Sequence, residues 1–310
     1  MAGLTSDKKN NSDILLESGT NEVEILEFTI SGQNFGINVA KIKNLMSYEK
    51  ITPMPNANPY IEGVFKPMNE ILTIVNLPAY LGLPPSEETN RDIIIITQFN
   101  KNMTAFHVHS VEDIHRITWS MIEKPNSTIY GNDEGLITGI ARIKNKLVAI
   151  IDFEKILAEL SPDMKMSLED VNTFVNRAEI TKPIIVVEDS PLLEKLLLES
   201  LEKAGYSNVV GCMNGVEAWS KLEEIKRIGG SDISKYVTCV ITDIEMPLMD
   251  GHRLTKMIRE DAVLSELPVI IFSSLINDQM REKGKKVGAT AQISKPEIAS
   301  LIQLIDKYAL

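Results

Sequence analysis

The sequence predicts two units of different class: an all-β unit before residue 160 and a doubly wound α/β unit after residue 183. Three observations predict it. Before residue 160, short alternating runs are joined by turn residues, as where SGQN (31–34) follows EVEILEF (22–28). After Pro183, five compact β-branched runs alternate with amphipathic stretches, the pattern of a five-stranded parallel sheet with helices on both faces. Carboxylates, hydroxyls and one lysine sit just past the ends of those runs, where such sheets bind ligands.

In the first unit, FGINVAKI resumes extended structure after the turn. RDIIIIT (91–97) and MTAFHVHSV (103–111) flank NKN, and LITGIARI (136–143) and KLVAIIDF (146–153) flank a turn at Lys144 and Asn145. Helices are expected at 12–18, near 38–46 and at 153–160. Between the units, SPDMKMSLEDVNTFVNRAEITK (161–182) predicts one connecting helix, with Ser167 and Asp170 as a capping box and Val171, Phe174 and Val175 as its apolar stripe. The expected organisation is therefore an N-terminal segment (1–19), a β domain (20–160), a linker helix (161–182) and an α/β domain (183–310). In the last of these, the strands are IIVV (184–187), VVGCM (209–213), VTCVIT (237–242), VIIF (269–272) and AQI (291–293). Helices are expected at about 190–204, 214–228, 252–261, 278–287 and 297–308.

Composition narrows the function. The chain has 310 residues, 44% hydrophobic and 24% charged, and a formal net charge of -11. That charge, with no helix-turn-helix, zinc spacing or RNA-binding motif, argues against nucleic acid. No apolar run is long enough to span a bilayer, and the lysine-bearing start lacks the apolar stretch of a secretory signal, so a cytoplasmic location is expected. Cys212 and Cys239 lie in apolar strand contexts and read as small buried thiols.

The chemistry collects at the strand ends: Glu188 and Asp189 after the first, Asp243 after the third, Ser273 and Ser274 at the fourth, and Ser294-Lys295-Pro296 after the fifth. Converging carboxylates repel one another and invite a hard divalent cation, with Mg²⁺ the expected one. Lys295 supplies a compact positive charge opposite them, and the Ser273 hydroxyl can donate to a phosphoryl oxygen. An aspartate in such a set can act as a nucleophile toward phosphorus, because phosphoryl transfer needs little beyond alignment and neutralisation of the equatorial oxygens.

IIVVEDS (184–190), ITDIEMPLMDG (241–251), VIIFSSL (269–275) and SKP (294–296) resemble the four signatures of a response-regulator receiver domain. Their spacing agrees: Ser273 follows Asp243 by 30 residues and Lys295 follows Ser273 by 22. The resemblance implies that Asp243 is the phosphoacceptor and Asp189 a direct metal ligand. Glu188 would be the second acidic position, and the Glu245 backbone carbonyl would complete the metal shell. It further implies that Ser273 is the switch hydroxyl, that Lys295 pairs with the phosphoryl group and that Lys295-Pro296 is cis. Two features depart from the pattern. Gln292 stands where many receivers carry a rotating aromatic residue, and KRIGGSDISKY (226–236) carries extra length, read as a surface-loop insertion.

In the N-terminal half, EVEILEFTISGQNFGINVAKIKNLM (22–46), MPNANPYIEGVFKPMNEILTIVNLPAYLG (54–82) and GIARIKNKLVAIIDFEKIL (139–157) resemble the CheW family of chemotaxis coupling proteins. A CheW-like domain followed by a receiver is the architecture of the CheV family, which the whole chain resembles. That family implies two small SH3-like β-barrels docking on chemoreceptor tips and on the histidine kinase CheA, at membrane receptor arrays but without membrane insertion. Gly63, Val64 and Phe65 are the expected interface residues, and Met68 replaces a common arginine. The implied role is a non-enzymatic adaptor modulated by phosphorylation of Asp243. A phosphate sink for CheA, which Gln292 favours, and a receiver-gated enzyme are the alternatives. The enzyme reading is weak: His107 and His109 would share a strand face near His115, but no fourth metal ligand accompanies them.

Overall fold

The computed structural model describes residues 19–67, 70–99, 102–124, 135–160, 179–230 and 232–309. The expected helices at 12–18 and in 161–178, including the proposed capping box, and Met68 lie outside these residues.

The N-terminal half consists of two sheets. Strand β1 (Glu22–Ile30) pairs antiparallel with β2 (Gln33–Asn38), placing Phe28 opposite Phe35. Ser31 and Gly32 turn the hairpin with φ of 50° and 76°, the double left-handed turn that matches strand twist. The same device at Lys144 and Asn145 joins β10 (Ile137–Ile143) to β11 (Lys146–Ile151). The expected helix near 38–46 is instead a single 3₁₀ turn at Val39–Lys41 followed by strand β3 (Ile42–Ser47). Asn38 caps the turn by accepting from Ala40 N at 3.0 Å. Beyond it, the buried strand β6 (Ile93–Phe99) offers a complete ladder to an edge partner, which outweighs the helical spacing of Ile42, Leu45 and Met46.

Strands β4 (Ile61–Phe65), β5 (Leu72–Asn76) and β7 (Asn102–Val108) complete a sheet ordered β3-β6-β7-β5-β4. A short helix α1 (Leu77–Tyr80) follows β5. The run 103–111, expected as one strand, breaks at His109, and the chain crosses to the other sheet as β8 (Ser110–Thr118). With β9 (Ile122–Glu123), that sheet runs β8-β1-β2-β11-β10-β9. Helix α2 (Phe153–Leu160) lies where expected. Each sheet has a core of its own, and a third core joins them. In the shared core Phe153 meets Phe106 edge-on at 4.5 Å and Phe28 at 6.1 Å.

The C-terminal half is a parallel sheet ordered β13-β12-β14-β15-β16. Its strands are β12 (Ile184–Val187), β13 (Val209–Cys212), β14 (Cys239–Thr242), β15 (Val269–Ser273) and β16 (Ala291–Ser294). The helices are α3 (Pro191–Lys203), α4 (Gly215–Gly229), α5 (Gly251–Glu260), α6 (Asp278–Lys286) and α7 (Ile298–Ala309). Of the segment read as a loop insertion, residues 226–229 form the last turn of α4. Helices α3 and α7 cover one face and α4 and α5 the other. Ser190, Asn214, Asp250 and Asn277 each cap the helix that follows by accepting a backbone N–H three residues on. All four caps lie on the rim where β12 to β15 end. Cys212 and Cys239 are buried free thiols.

Phe153 is fully buried at the junction of both sheets. Phe153→Ala is expected to destabilise the N-terminal unit by about 3–5 kcal/mol, measurable as a lowered urea midpoint. A loss below about 1 kcal/mol would mean the shared core does not hold the sheets together.

Candidate functional site at the sheet rim

Parallel strands in register bring residues distant in sequence to one edge. Val187 lies opposite both Cys212 and Thr242, and Ser273 opposite Ser294, so the residues after each pair emerge together. The ladder continues one step further. Glu188 N donates to Cys212 O, Asp243 N to Val187 O and Lys295 N to Ser273 O. Gly251 is required here by close approach, since a Cβ on it would lie 1.9 Å from the Asp243 carbonyl oxygen.

Four of the expected side chains meet. Lys295 Nζ lies 2.6 Å from Glu188 Oε2 and 2.7 Å from Asp243 Oδ2, all three side chains being under a tenth exposed. Asp189 joins them: carboxylate oxygens of Glu188, Asp189 and Asp243 lie within 4.8 Å of one another. The other oxygen of Asp243, Oδ1, accepts from Ile244 N. Ser273 is buried at the adjacent strand end, its Oγ accepting from Leu275 N at 3.2 Å. Lys295-Pro296 is cis, as expected.

The electrostatics are those of an excess of acid. Burial, then the Asp243 and Asp189 charges, pushes Glu188 up to about 8 against the pull of Lys295. Burial and Asp243 push Asp189 up to about 7. For Lys295 burial works against the charged form, but Asp243 and Glu188 outweigh it and raise its pKa. Three carboxylates against one ammonium leave net negative charge in a partly dry site. A divalent cation with oxygen preference fits such a donor set.

Comparison with known proteins identifies a domain family for each half of the chain. Residues 24–161 match the CheW-like domain and residues 184–306 the response regulator receiver domain. Chemotaxis protein CheV3 of Helicobacter pylori is 30% identical over 298 residues, covering 92% of this chain and 94% of that protein. The chain belongs to the CheV family. Chemotaxis protein CheV2 of the same organism is 24% identical, covering 93% and 95% of the two chains. Among solved structures, the scaffolding protein TtCheW of Thermoanaerobacter tengcongensis is 21% identical with a TM-score of 0.39, covering 42% of this chain and 89% of that one.

Other residues of this CheV-family chain that the sequence singled out make side-chain or backbone contacts of their own. Glu245 turns its side chain away from the acidic pocket, its Oε2 lying 2.6 Å from Lys41 Nζ and its Oε1 accepting from Asn38 Nδ2 at 2.7 Å. Gln292 donates to Arg281 O at 2.9 Å and packs on Gly284, where a Cβ would come within 2.2 Å of its amide oxygen. In β4, Gly63 and Phe65 are buried and Val64 is half-buried. Gly63 has φ of 146°, and Thr52 O lies 2.2 Å from where its Cβ would be. The three histidines do not converge. His107 is saturated by Glu62 at 2.6 Å and Asp92 at 2.8 Å, whereas His115 bonds Glu27 in the other sheet at 2.7 Å. Among the described residues, the metal-competent cluster is the acidic one at the rim. No helix among them is long and apolar enough to cross a membrane.

Sequence reasoning missed the residues that reach this face from the N-terminal half: Asn21, Asn38, Lys41 and Lys124. Lys124 Nζ donates to Asp189 O at 3.3 Å. No local pattern marks them, since their partners lie 65 to 229 residues away.

Because the folded values of Glu188 and Asp189 lie above their ordinary ones, the folded state holds protons the unfolded chain releases. Their cost is absent below the ordinary carboxylate values, grows as pH rises and is complete above about 8. A bound cation reverses that cost. Magnesium is therefore expected to raise the melting temperature more at about pH 8 than at about pH 6, and chelation to remove the gain. Equal stabilisation at both values would show that these carboxylates do not hold the metal.

Proposed function

We propose that this chain is a chemotaxis adaptor linking chemoreceptor tips to the histidine kinase CheA, with its coupling set by phosphorylation of Asp243. Its expected units are a coupling domain (20–160), a linker (161–182) and a receiver (183–310). The single observation that carries the reading is Lys295 Nζ held between Glu188 and Asp243 at the rim of a receiver fused to a CheW-like domain.

In the proposed transfer, an Asp243 carboxylate oxygen attacks phosphorus of a phosphohistidine. The new P–O bond forms as the P–N bond breaks, and the imidazole leaves with the electron pair and takes up a proton. The backbone N–H of Ile244 orients Asp243 through Oδ1, and Lys295 neutralises charge on the phosphoryl oxygens. Glu188, Asp189, Asp243 and the Glu245 main-chain carbonyl are the proposed metal ligands, and a magnesium ion held by them would add positive charge against the developing phosphoryl charge. Ser273, freed from Leu275 N, is the group expected to turn toward the phosphoryl. For the partner proteins, β4 with Gly63, Val64 and Phe65 is the proposed contact. It is last in the strand order of its sheet, but Thr52 bridges its outer side at Val64, so recognition there would use apolar side chains such as the exposed Ile71 rather than a free strand edge. Engagement of receptors would bring the protein to membrane arrays without inserting it.

Gln292 favours a second reading, a phosphate sink with little conformational output. Its amide is tied to Arg281 O and cannot act as a rotating ring.

Asp243→Asn is expected to abolish acquisition of radiolabel from phosphorylated CheA. Label uptake at the wild-type rate would overturn the site assignment. In a reconstituted receptor–kinase mixture, phosphorylated and unphosphorylated protein are expected to differ about 5-fold or more in coupling. Identical coupling would select the sink.

A further inference from the structure

The rim that carries the acidic pocket is not open to solvent on all sides, because the N-terminal unit is seated against it. Lys41 Nζ bridges Glu245 Oε2 at 2.6 Å and Glu154 Oε1 at 3.0 Å, and its side chain is only 12% exposed. Asn38, on the same connection between β2 and β3, occupies the other Glu245 oxygen. Asn21 makes a two-way contact, donating to Leu248 O at 2.8 Å and accepting from Asp250 N at 3.0 Å. Leu248 N donates to Trp119 O and Arg253 to Gly19 O, both at 3.3 Å. Ala40 packs on the apolar cluster of Ile244, Leu275 and Met280. A cleft of about 670 Å³ lies beside these contacts.

The docked residues of the receiver fall mainly in two segments. One, 244–250, begins directly after Asp243, and the other, Leu275 with Ile276, begins just after Ser273. The backbone that must respond to a modified Asp243 and a moving Ser273 is thus the backbone on which the other domain rests. Leu275 is held by its N–H bond to Ser273 Oγ, the bond given up when that hydroxyl turns toward a phosphoryl group. Leu248 has φ of 69°, a left-handed conformation disfavoured in a non-glycine residue, and both its backbone polar groups bond to the N-terminal unit. Lys41 is also divided between carboxylates of two domains, so loss of Glu245 leaves it paired with Glu154 rather than stranded.

We propose that the N-terminal unit is docked on the phosphorylation face as a closed state, clasped by Lys41 and Asn38 on Glu245 and by Asn21 on the 248–250 backbone, and that filling the acidic pocket opens the clasp. The inference rests on phosphorylation of Asp243 and adds what that event does: it frees the Asn38–Ile42 edge of the coupling domain. Linkage makes the effect reciprocal. Weakening the clasp must tighten the pocket's hold on a phosphoryl mimic by the same factor.

The test uses the full chain with magnesium and beryllofluoride. Hydrogen exchange is read at amides 39–43, which belong to the coupling domain and carry none of the pocket's side chains. Fluorine NMR reports bound beryllofluoride independently. Exchange at 39–43 is expected to quicken about 5-fold or more when the ligand binds. Lys41→Ala and, separately, Asn21→Ala are expected to quicken it without ligand and to bind beryllofluoride more tightly, with unchanged exchange in residues 93–99 as the check on folding. A bound fluorine signal with unaltered exchange at 39–43 overturns the clasp and leaves the phosphorylation reading standing. No bound signal overturns both.

Discussion

One ammonium group set among three carboxylates is the constraint around which the proposed chemistry of this molecule is built. Lys295 can touch both Glu188 and Asp243 only because β12, β14, β15 and β16 end in register at one rim. Such a buried arrangement gives little net stability, since desolvation of the ions offsets their attraction, while losing one partner costs about 3–5 kcal/mol. The surrounding fold therefore sustains a charge set whose value lies in reactivity. The helix caps at Ser190, Asn214, Asp250 and Asn277 and the close approach at Gly251 hold the rim against that internal repulsion.

The same design recurs at the domain junction. Lys41, like Lys295, spans two carboxylates contributed by separate elements, here Glu154 after β11 and Glu245 after β14. Burial and Glu154 raise the Glu245 pKa against the pull of Lys41 and Asn38, so this pair too sits in an acid-rich, partly dry place. Asp243 and Glu245 are two residues apart, and each is bound to a different lysine from a different domain. Only Ile244 separates them, so charge altered at one lies one residue from the backbone carrying the other.

Much of the receiver was legible because its code is local. Apolar runs bounded by Glu188-Asp189, Asp243, Ser273 and Lys295 mark both the strands and the site, and register does the rest. The β unit was less legible where strands lie at sheet edges. VEDIHRIT in β8 is largely polar on its exposed side, and the spacing of Ile42, Leu45 and Met46 imitates a helix although β6 recruits it as a strand. The histidines illustrate the limit of face arguments. His107 and His109 do approach, with ring centroids 6.4 Å apart, but Glu62 and Asp92 take up the first of them. Lys41 and Lys124 could not be read at all, because a lysine's choice among distant carboxylates is a product of tertiary folding.

Gln292 has a consequence for how motion can leave the receiver. Its amide is moored to the α6 backbone at Arg281 and pressed into the space that Gly284 leaves open, so the seam between β16 and α6 is interlocked by polar contact and shape. A ring pivoting in that seam would give a second outlet toward the far helices. With the seam pinned, any movement that the proposed switch sends out of the pocket would run along the loop after β15 and the turn after β14. Both end on the neighbouring domain, so on the proposed switch this receiver would speak inward to its own chain.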